Sequence, residues 1–158
     1  MIIVANTTPI ISLASIGQLN ILEKLFGKVI IAEAVYHEIK AKPSYGYDQV
    51  DCAFIEVKQI QGKLYKDILL SQLDSGEAET IILAKEINAD FVIIDENIGY
   101  QFANNSGLTA IRTLSILLKA KEKGHIIKIK PLLDEMIMKG RWYSTAVYRS
   151  FLAKAGEA

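Results

Sequence analysis

Three apolar runs constrain this chain more than any other feature. Ile2-Ile3-Val4-Ala5, Val29-Ile30-Ile31 and Phe91-Val92-Ile93-Ile94 contain no polar residue. They have strand length and no inside–outside alternation, so each suits a strand buried on both faces. Between them lie stretches with apolar residues at helical spacing, such as Ala78, Ile81, Ile82 and Ala84. The alternation predicts an α/β chain, with a central parallel sheet covered by helices on both sides. Ligands of such sheets bind beyond the carboxyl ends of the strands. The residues that follow each apolar run are therefore where chemistry is to be sought.

The other elements follow from caps and breakers. Thr8 reads as the cap of a first helix with Pro9 at its first position, ending near Gly17. Leu19 to Phe26 suggests a short second helix. Ala32 to Lys42 reads as a helix stopped by Pro43, and KPSYGYDQVD as a loop or helix break. Ile55–Val57 is a further strand candidate. Asp74-Ser75-Gly76 is a turn, with Ser75 expected to cap a helix over Glu77 to Ile87. Helices are expected over Gly99–Asn104, Thr113–Lys123, Pro131–Lys139 and Thr145–Ala155, the last capped by Ser144, with a final strand near Leu108–Ala110. The chain reads as one domain over residues 1–158, with 131–158 a C-terminal helical extension packed on it.

A length of 158 residues is enough for a sizeable core. The apolar runs are too short to span a membrane, and no leader segment is expected. Cys52 is the only cysteine, so no intramolecular disulfide forms and a cytoplasmic location fits. Formal net charge is zero but unevenly spread. Residues 1–111 carry 8 Lys/Arg against 14 Asp/Glu, and residues 112–158 carry 10 against 4, or −6 and +6. An acidic body with a basic C-terminal third suits metal in one region and phosphate in another, although solvated charge distributes this way by chance as well.

The acidic residues gain meaning from where they fall. Asn6 follows the first strand, Glu38 lies on the helix after the second, Glu77 and Glu79 open the helix after the Asp74 turn, and Asp95 and Glu96 follow the strongest strand. Taken singly, each has an ordinary reading: Glu77 favours a helix dipole, Glu38 is a solvated helix residue, and Asp95 is a turn residue. Taken together, they predict several carboxylates at one sheet edge. Such a group persists when a cation or a shared proton neutralises it. Oxygen ligands without His or Cys suit Mg²⁺ or Mn²⁺, which assist attack of water on phosphorus.

The stretches VANTTPIISLASIG, AEAVYHEI, LDSGEAETIILAKE, FVIIDENIGYQFA and GLTAIRTLSILLKAKEKGHI resemble, in order and spacing, the PIN-domain proteins. The resemblance covers roughly residues 1 to 155 and is to a prokaryotic branch related to the toxin ribonucleases of toxin–antitoxin pairs. It implies a three-layer α/β/α sandwich and a Mg²⁺- or Mn²⁺-dependent ribonuclease site. The family's first Asp falls on Asn6, and its other acids fall on Glu38, Glu77 and Asp95. Glu96 is a substitute for Asp95 and Glu79 a weaker one for Glu77. Metal ligands are then Asn6, Glu38, Glu77 and Asp95, with catalysis by the three acids. Thr7 or Thr8 matches a small hydroxyl residue beside the first acid, with Thr8 expected to contact nucleic acid, and an RNA substrate, an antitoxin partner and a homodimer are implied. The departure is Asn6, which can ligate a hard cation without contributing charge. It motivates the alternative of a catalytically weak module that binds nucleic acid or an antitoxin.

Arg112 follows the last strand and is expected either to hold a nucleic-acid phosphate or to pair with an acid. Trp142 and Tyr143, beside Arg141, read as packing a terminal helix onto the body, with stacking on bases as the second reading. Lys119, Lys121, Lys123, Lys128 and Lys130 form a loose basic run suited to phosphate attraction or to a solubilising face. His37 and His125 are too few and too far apart for a His-based site.

Overall fold

The apolar runs become the centre of a five-stranded sheet in a computed structural model that describes residues 1–158. The strands are β1 (Ile3–Ala5), β2 (Val29–Ala32), β3 (Ile55–Lys58), β4 (Phe91–Ile93) and β5 (Ala110–Ile111). Every pairing is parallel, in the order β3-β2-β1-β4-β5. Val4 sits between Ile30 and Val92, so the three unbroken runs are the three inner strands. Ile3, Val4, Ala5, Val29, Ile31, Val92 and Ile93 are all buried, as strands covered on both faces require. The edge strand β3 differs: its pattern IEVK exposes Val57 and pairs Glu56 with Lys28.

Nine helices cover the sheet: α1 (Thr7–Ser15), α2 (Ile21–Phe26), α3 (Glu33–Lys40), α4 (Lys63–Leu69), α5 (Ser75–Glu86), α6 (Asn97–Asn105), α7 (Thr113–Glu122), α8 (Lys130–Met138) and α9 (Thr145–Lys154). The result is a three-layer α/β/α fold. On one side α5 lies against β1, β2 and β4, flanked by α3, α4 and α6. On the other, α1 and α7 pack together, with α2 beside α7 and α8 beside α1. Leu133 and Met136 of α8 and Phe151 and Leu152 of α9 join the same apolar cluster as the strands.

Three local expectations change. Asn6, not Thr8, is the N-cap residue of α1, because the strand ends at Ala5 and the helix begins at once. Pro9 then stands in the first turn, where its missing N–H costs nothing. Asp74, not Ser75, caps α5: Asp74 Oδ1 accepts from the Glu77 N–H at 2.8 Å, and Glu77 Oε1 accepts from the Asp74 N–H at 3.0 Å, a complete capping box. Helix α4 has no counterpart in the expectations, and it explains the third change. The sequence suggested one buried face for α5, yet every residue from Gly76 to Ala84 is buried. Helix α4 covers what would have been its outer surface. Three polar side chains of α5, Glu77, Glu79 and Thr80, are therefore enclosed and must find partners inside the protein.

Candidate active site

The chain builds β1, then β2 and β3 towards one edge, and returns to place β4 and β5 on the other side of β1. The order reverses between β1 and β4, and this crevice is where α/β sheets take ligands. Asn6 leaves β1 here and Asp95 and Glu96 leave β4 here.

Asn6 is 3% exposed and its N–H donates to the Ile93 carbonyl at 2.9 Å, fixing the side chain at the crevice. Its Nδ2 donates to Glu96 Oε2 at 3.3 Å, and its Oδ1 accepts from the Thr80 hydroxyl at 3.4 Å. Thr8, two residues on, donates its hydroxyl to the other Glu96 oxygen at 2.6 Å. The cap positions of α1 thus hold an acid instead of capping the helix. Thr7 donates to Glu38 Oε2, and the Gly76 N–H donates to Glu38 Oε1 at 2.9 Å. Glu38 is in this way carried from α3 to the start of α5.

Glu77 lies between these groups and is 7% exposed. Burial, against the lowering effect of the Asp74 N–H, pushes its carboxyl up from the usual 4.5 to about 7, and the nearby Asp74 and Glu96 carboxylates add to the rise. Two glycines make room for the acids. A Cβ on Gly76 would stand 2.6 Å from Glu38 Oε2, and one on Gly99 would stand 2.8 Å from Glu77 Oε2 and 2.7 Å from Ile94 Cδ1. The sequence reading passed over both. Glycine in the first turn of a helix, where almost any other residue is a better helix former, was the available signal.

Asp95, 6% exposed, faces another way. Its Oδ1 accepts the Thr113 N–H at 2.8 Å and its Oδ2 the Thr113 hydroxyl at 2.7 Å, with Arg141 Nη2 at 3.3 Å. It is Glu96 that hydrogen-bonds to Asn6 and Thr8. Glu79 is taken up by the Ala34 N–H at 3.0 Å and by Lys66 Nζ at 2.6 Å, apart from Asn6 and Glu96. Arg112 donates to the Asp95 carbonyl at 2.5 Å and to Asn97 Oδ1 at 3.0 Å, and lies over the Tyr100 ring at 4.0 Å. Arg141 reaches the crevice from the loop between α8 and α9 and was not among the expected site residues. Burial opposes its charge, but Asp95 and Tyr143 outweigh burial and raise its pKa. Of the basic run, Lys121 is bound to Glu157 and the Ala155 carbonyl, and Lys130 to Asp134.

The four acids approach one crevice without forming a ready-made cluster of three metal ligands. Each is held by a hydroxyl, amide or guanidinium donor of the protein. The donor chemistry nevertheless fits a hard divalent cation: carboxylate and amide oxygens only, with Asp95 alone among the four acids ion-paired, to Arg141. No helix is long and apolar enough to cross a membrane.

No curated protein matches the chain. A family model described as a PIN domain matches residues 2–157, which takes in every strand, every helix and the whole crevice. PIN domains are nucleases that act on nucleic acids and generally use divalent metal ions. With the parallel sheet, the switch-point crevice and the match over nearly the full length in agreement, the chain belongs to the PIN-domain family.

Proposed function

We propose that the protein is a divalent-metal-dependent endoribonuclease that hydrolyses phosphodiester bonds in RNA, in the manner of a toxin ribonuclease. The observation that carries this reading is the chain of contacts Thr80–Asn6–Glu96–Thr8 at the switch point, with Glu77 buried beside it and short of positive charge. Glu38, Glu77 and one acid of the Asp95–Glu96 pair would hold Mg²⁺ or Mn²⁺, with the Asn6 amide oxygen as a neutral ligand. Of that pair Glu96 is the better placed, since it shares Asn6 and Thr8, while Asp95 secures the start of α7 and Arg141. A cation held there supplies positive charge to a phosphoryl oxygen and acidifies a water. Thr7 and Thr8 orient Glu38 and Glu96, and Arg112 offers its remaining N–H groups to a substrate phosphate.

The test is cleavage of single-stranded RNA with Mn²⁺, with Mg²⁺ and with EDTA. Activity with either ion, its loss in EDTA, and its loss in Glu77→Gln and Glu38→Gln are expected. Retained cleavage in the double variant Glu77→Ala/Asp95→Ala with Glu96→Gln added would sink the site assignment.

A second reading rests on Asn6 itself. An amide in place of a carboxylate weakens cation affinity, and a weak or inactive module that binds nucleic acid or an antitoxin-like protein fits that substitution. Binding of RNA without turnover under any divalent ion favours it. The homodimer is proposed on resemblance alone; Leu64, Tyr65 and Ile68, exposed on α4, are the apolar residues whose replacement would test it.

A further inference from the structure

Beside Glu96 the crevice widens into a cleft of about 550 Å³, on the side away from Glu38. Its walls include Arg112, Arg141, Trp142 and Tyr143. A volume of this size is within the range of small-ligand sites. Three features of the lining are unexplained by the fold.

Trp142 is 78% exposed, although its neighbour Tyr143 is partly buried against the core. The expectation that both rings pack a terminal helix therefore holds for Tyr143 only. A large aromatic side chain left to solvent beside a cleft is free to stack on a bound ring. Next, Arg141 Nε and the Tyr143 hydroxyl are buried and have no hydrogen-bond partner. Buried polar atoms without partners are rare, and these two lie together, with the Arg141 guanidinium 4.9 Å from the Tyr143 ring centre. Finally, Arg112 lies flat on Tyr100 with only two of its N–H groups committed, so its position is fixed while donors remain free.

We propose that this cleft is a subsite for one unpaired nucleotide of a single-stranded nucleic acid. The base stacks on Trp142, and the phosphate oxygens face Arg112 and Arg141. The proposal rests on the nuclease reading and adds to it a direction for the strand, from the acids past Glu96 to Trp142. Stacking on an aromatic ring tolerates any base, so the subsite selects unpaired strands and not sequences.

The test uses a property of the sequence: Trp142 is the only tryptophan, so its fluorescence reports this cleft alone. The full chain in EDTA, where no turnover occurs, is titrated with an eight-nucleotide oligouridylate, the matching oligothymidylate and a blunt RNA duplex. Saturable quenching by the single strands and not by the duplex is expected. Trp142→Ala should bind a labelled oligouridylate about tenfold more weakly, and Trp142→Phe should recover most of that loss. The side chain is exposed, so both variants keep the fold. Quenching by RNA alone assigns the subsite to RNA; quenching by both strands assigns it to single strands in general. Binding with unchanged Trp142 emission and unchanged affinity in Trp142→Ala overturns the subsite but leaves the nuclease reading standing. Quenching without any cleavage on adding Mn²⁺ or Mg²⁺ supports the subsite and overturns the nuclease reading. No binding of either strand overturns the subsite, and cleavage on adding Mn²⁺ or Mg²⁺ then decides the nuclease reading by itself.

Discussion

Asn6 Nδ2 donates to Glu96 Oε2 across 3.3 Å and so ties the end of β1 to the end of β4. A carboxylate at position 6 would set two acceptors against each other at this point. The amide removes one negative charge from a crowded group and supplies a donor that the neighbouring acid needs.

Asn6→Asp should therefore behave oppositely with and without a cation. In EDTA at neutral pH the variant is expected to lose about 1–2 kcal/mol of stability through repulsion and the lost donor. With Mn²⁺ it should regain that loss and bind the ion more tightly than the wild type. Thermal unfolding and calorimetry with and without Mn²⁺ check this. An equal Tm for both proteins in EDTA would show that Asn6 is not answering to Glu96.

Gly76→Ala separates the site from the fold. The new Cβ meets only the end of a flexible side chain, the Glu38 carboxylate, and alanine is the better helix former. Stability should change by less than about 1 kcal/mol. Cleavage should fall about 10²-fold, because the acid must move by a fraction of its own length. Paired Tm and activity measurements decide the matter; unaltered activity would place Glu38 outside the reaction.

The raised carboxyl of Glu77 predicts how stability varies with pH. Folded, the group titrates near 7; unfolded, near its ordinary 4.5. Between these values the folded state holds the proton more firmly, so stability falls as pH rises from about 4.5 through about 7. Below 4.5 this contribution is fully present. Glu77→Gln lacks the titrating group and should be relatively more stable than the wild type at pH 8, with the difference shrinking towards pH 5. Denaturant midpoints at the two pH values, in EDTA, test it, and a difference that grows towards acid would contradict it.

Glu157 acts in the opposite sense. Burial alone would raise its pKa, but Lys121 and the N–H groups of Ile129 and Lys130 pull it down to about 2. It joins the end of α7, the start of α8 and the segment after α9. Glu157→Ala should cost about 1–3 kcal/mol at pH 7, with Lys121 left without its counter-charge and two backbone donors unpaired. That contribution is complete above the ordinary 4.5 and disappears as pH falls through about 2. An unchanged midpoint at pH 7 would show that this junction carries no stability.

Much of the architecture was legible because the inner strands have no polar residue to misplace. The unbroken runs around Val4, Ile30 and Val92 fixed the parallel core and hence the edge at which to look. Helix α4 was missed although Leu64, Tyr65, Ile68 and Leu69 stand at helical spacing, a stripe that the fold leaves unburied. Missing α4 hid the full burial of α5, and with it the partners of Glu79. In the candidate site, the positions of Asn6 and Glu77 were legible because a strand end and a helix start are visible in the residues. The choice between Asp95 and Glu96 depends on the backbone turn after β4, where a one-residue step sends the side chain the other way. Arg141 was beyond reach, since the path of the α8–α9 loop brings it back and no local pattern records that path.

The parallel order of the strands has an electrostatic consequence. Helices α1, α6 and α7 each begin directly after a strand that ends at the crevice, and α5 begins beside Glu38. Four helix N-termini, each equivalent to about half a positive charge, therefore lie around the acids. The backbone itself supplies a diffuse positive field in which carboxylates can stand close together before any ion arrives. The same field remains when a negatively charged strand enters, so the acids repel a phosphodiester less than their number implies.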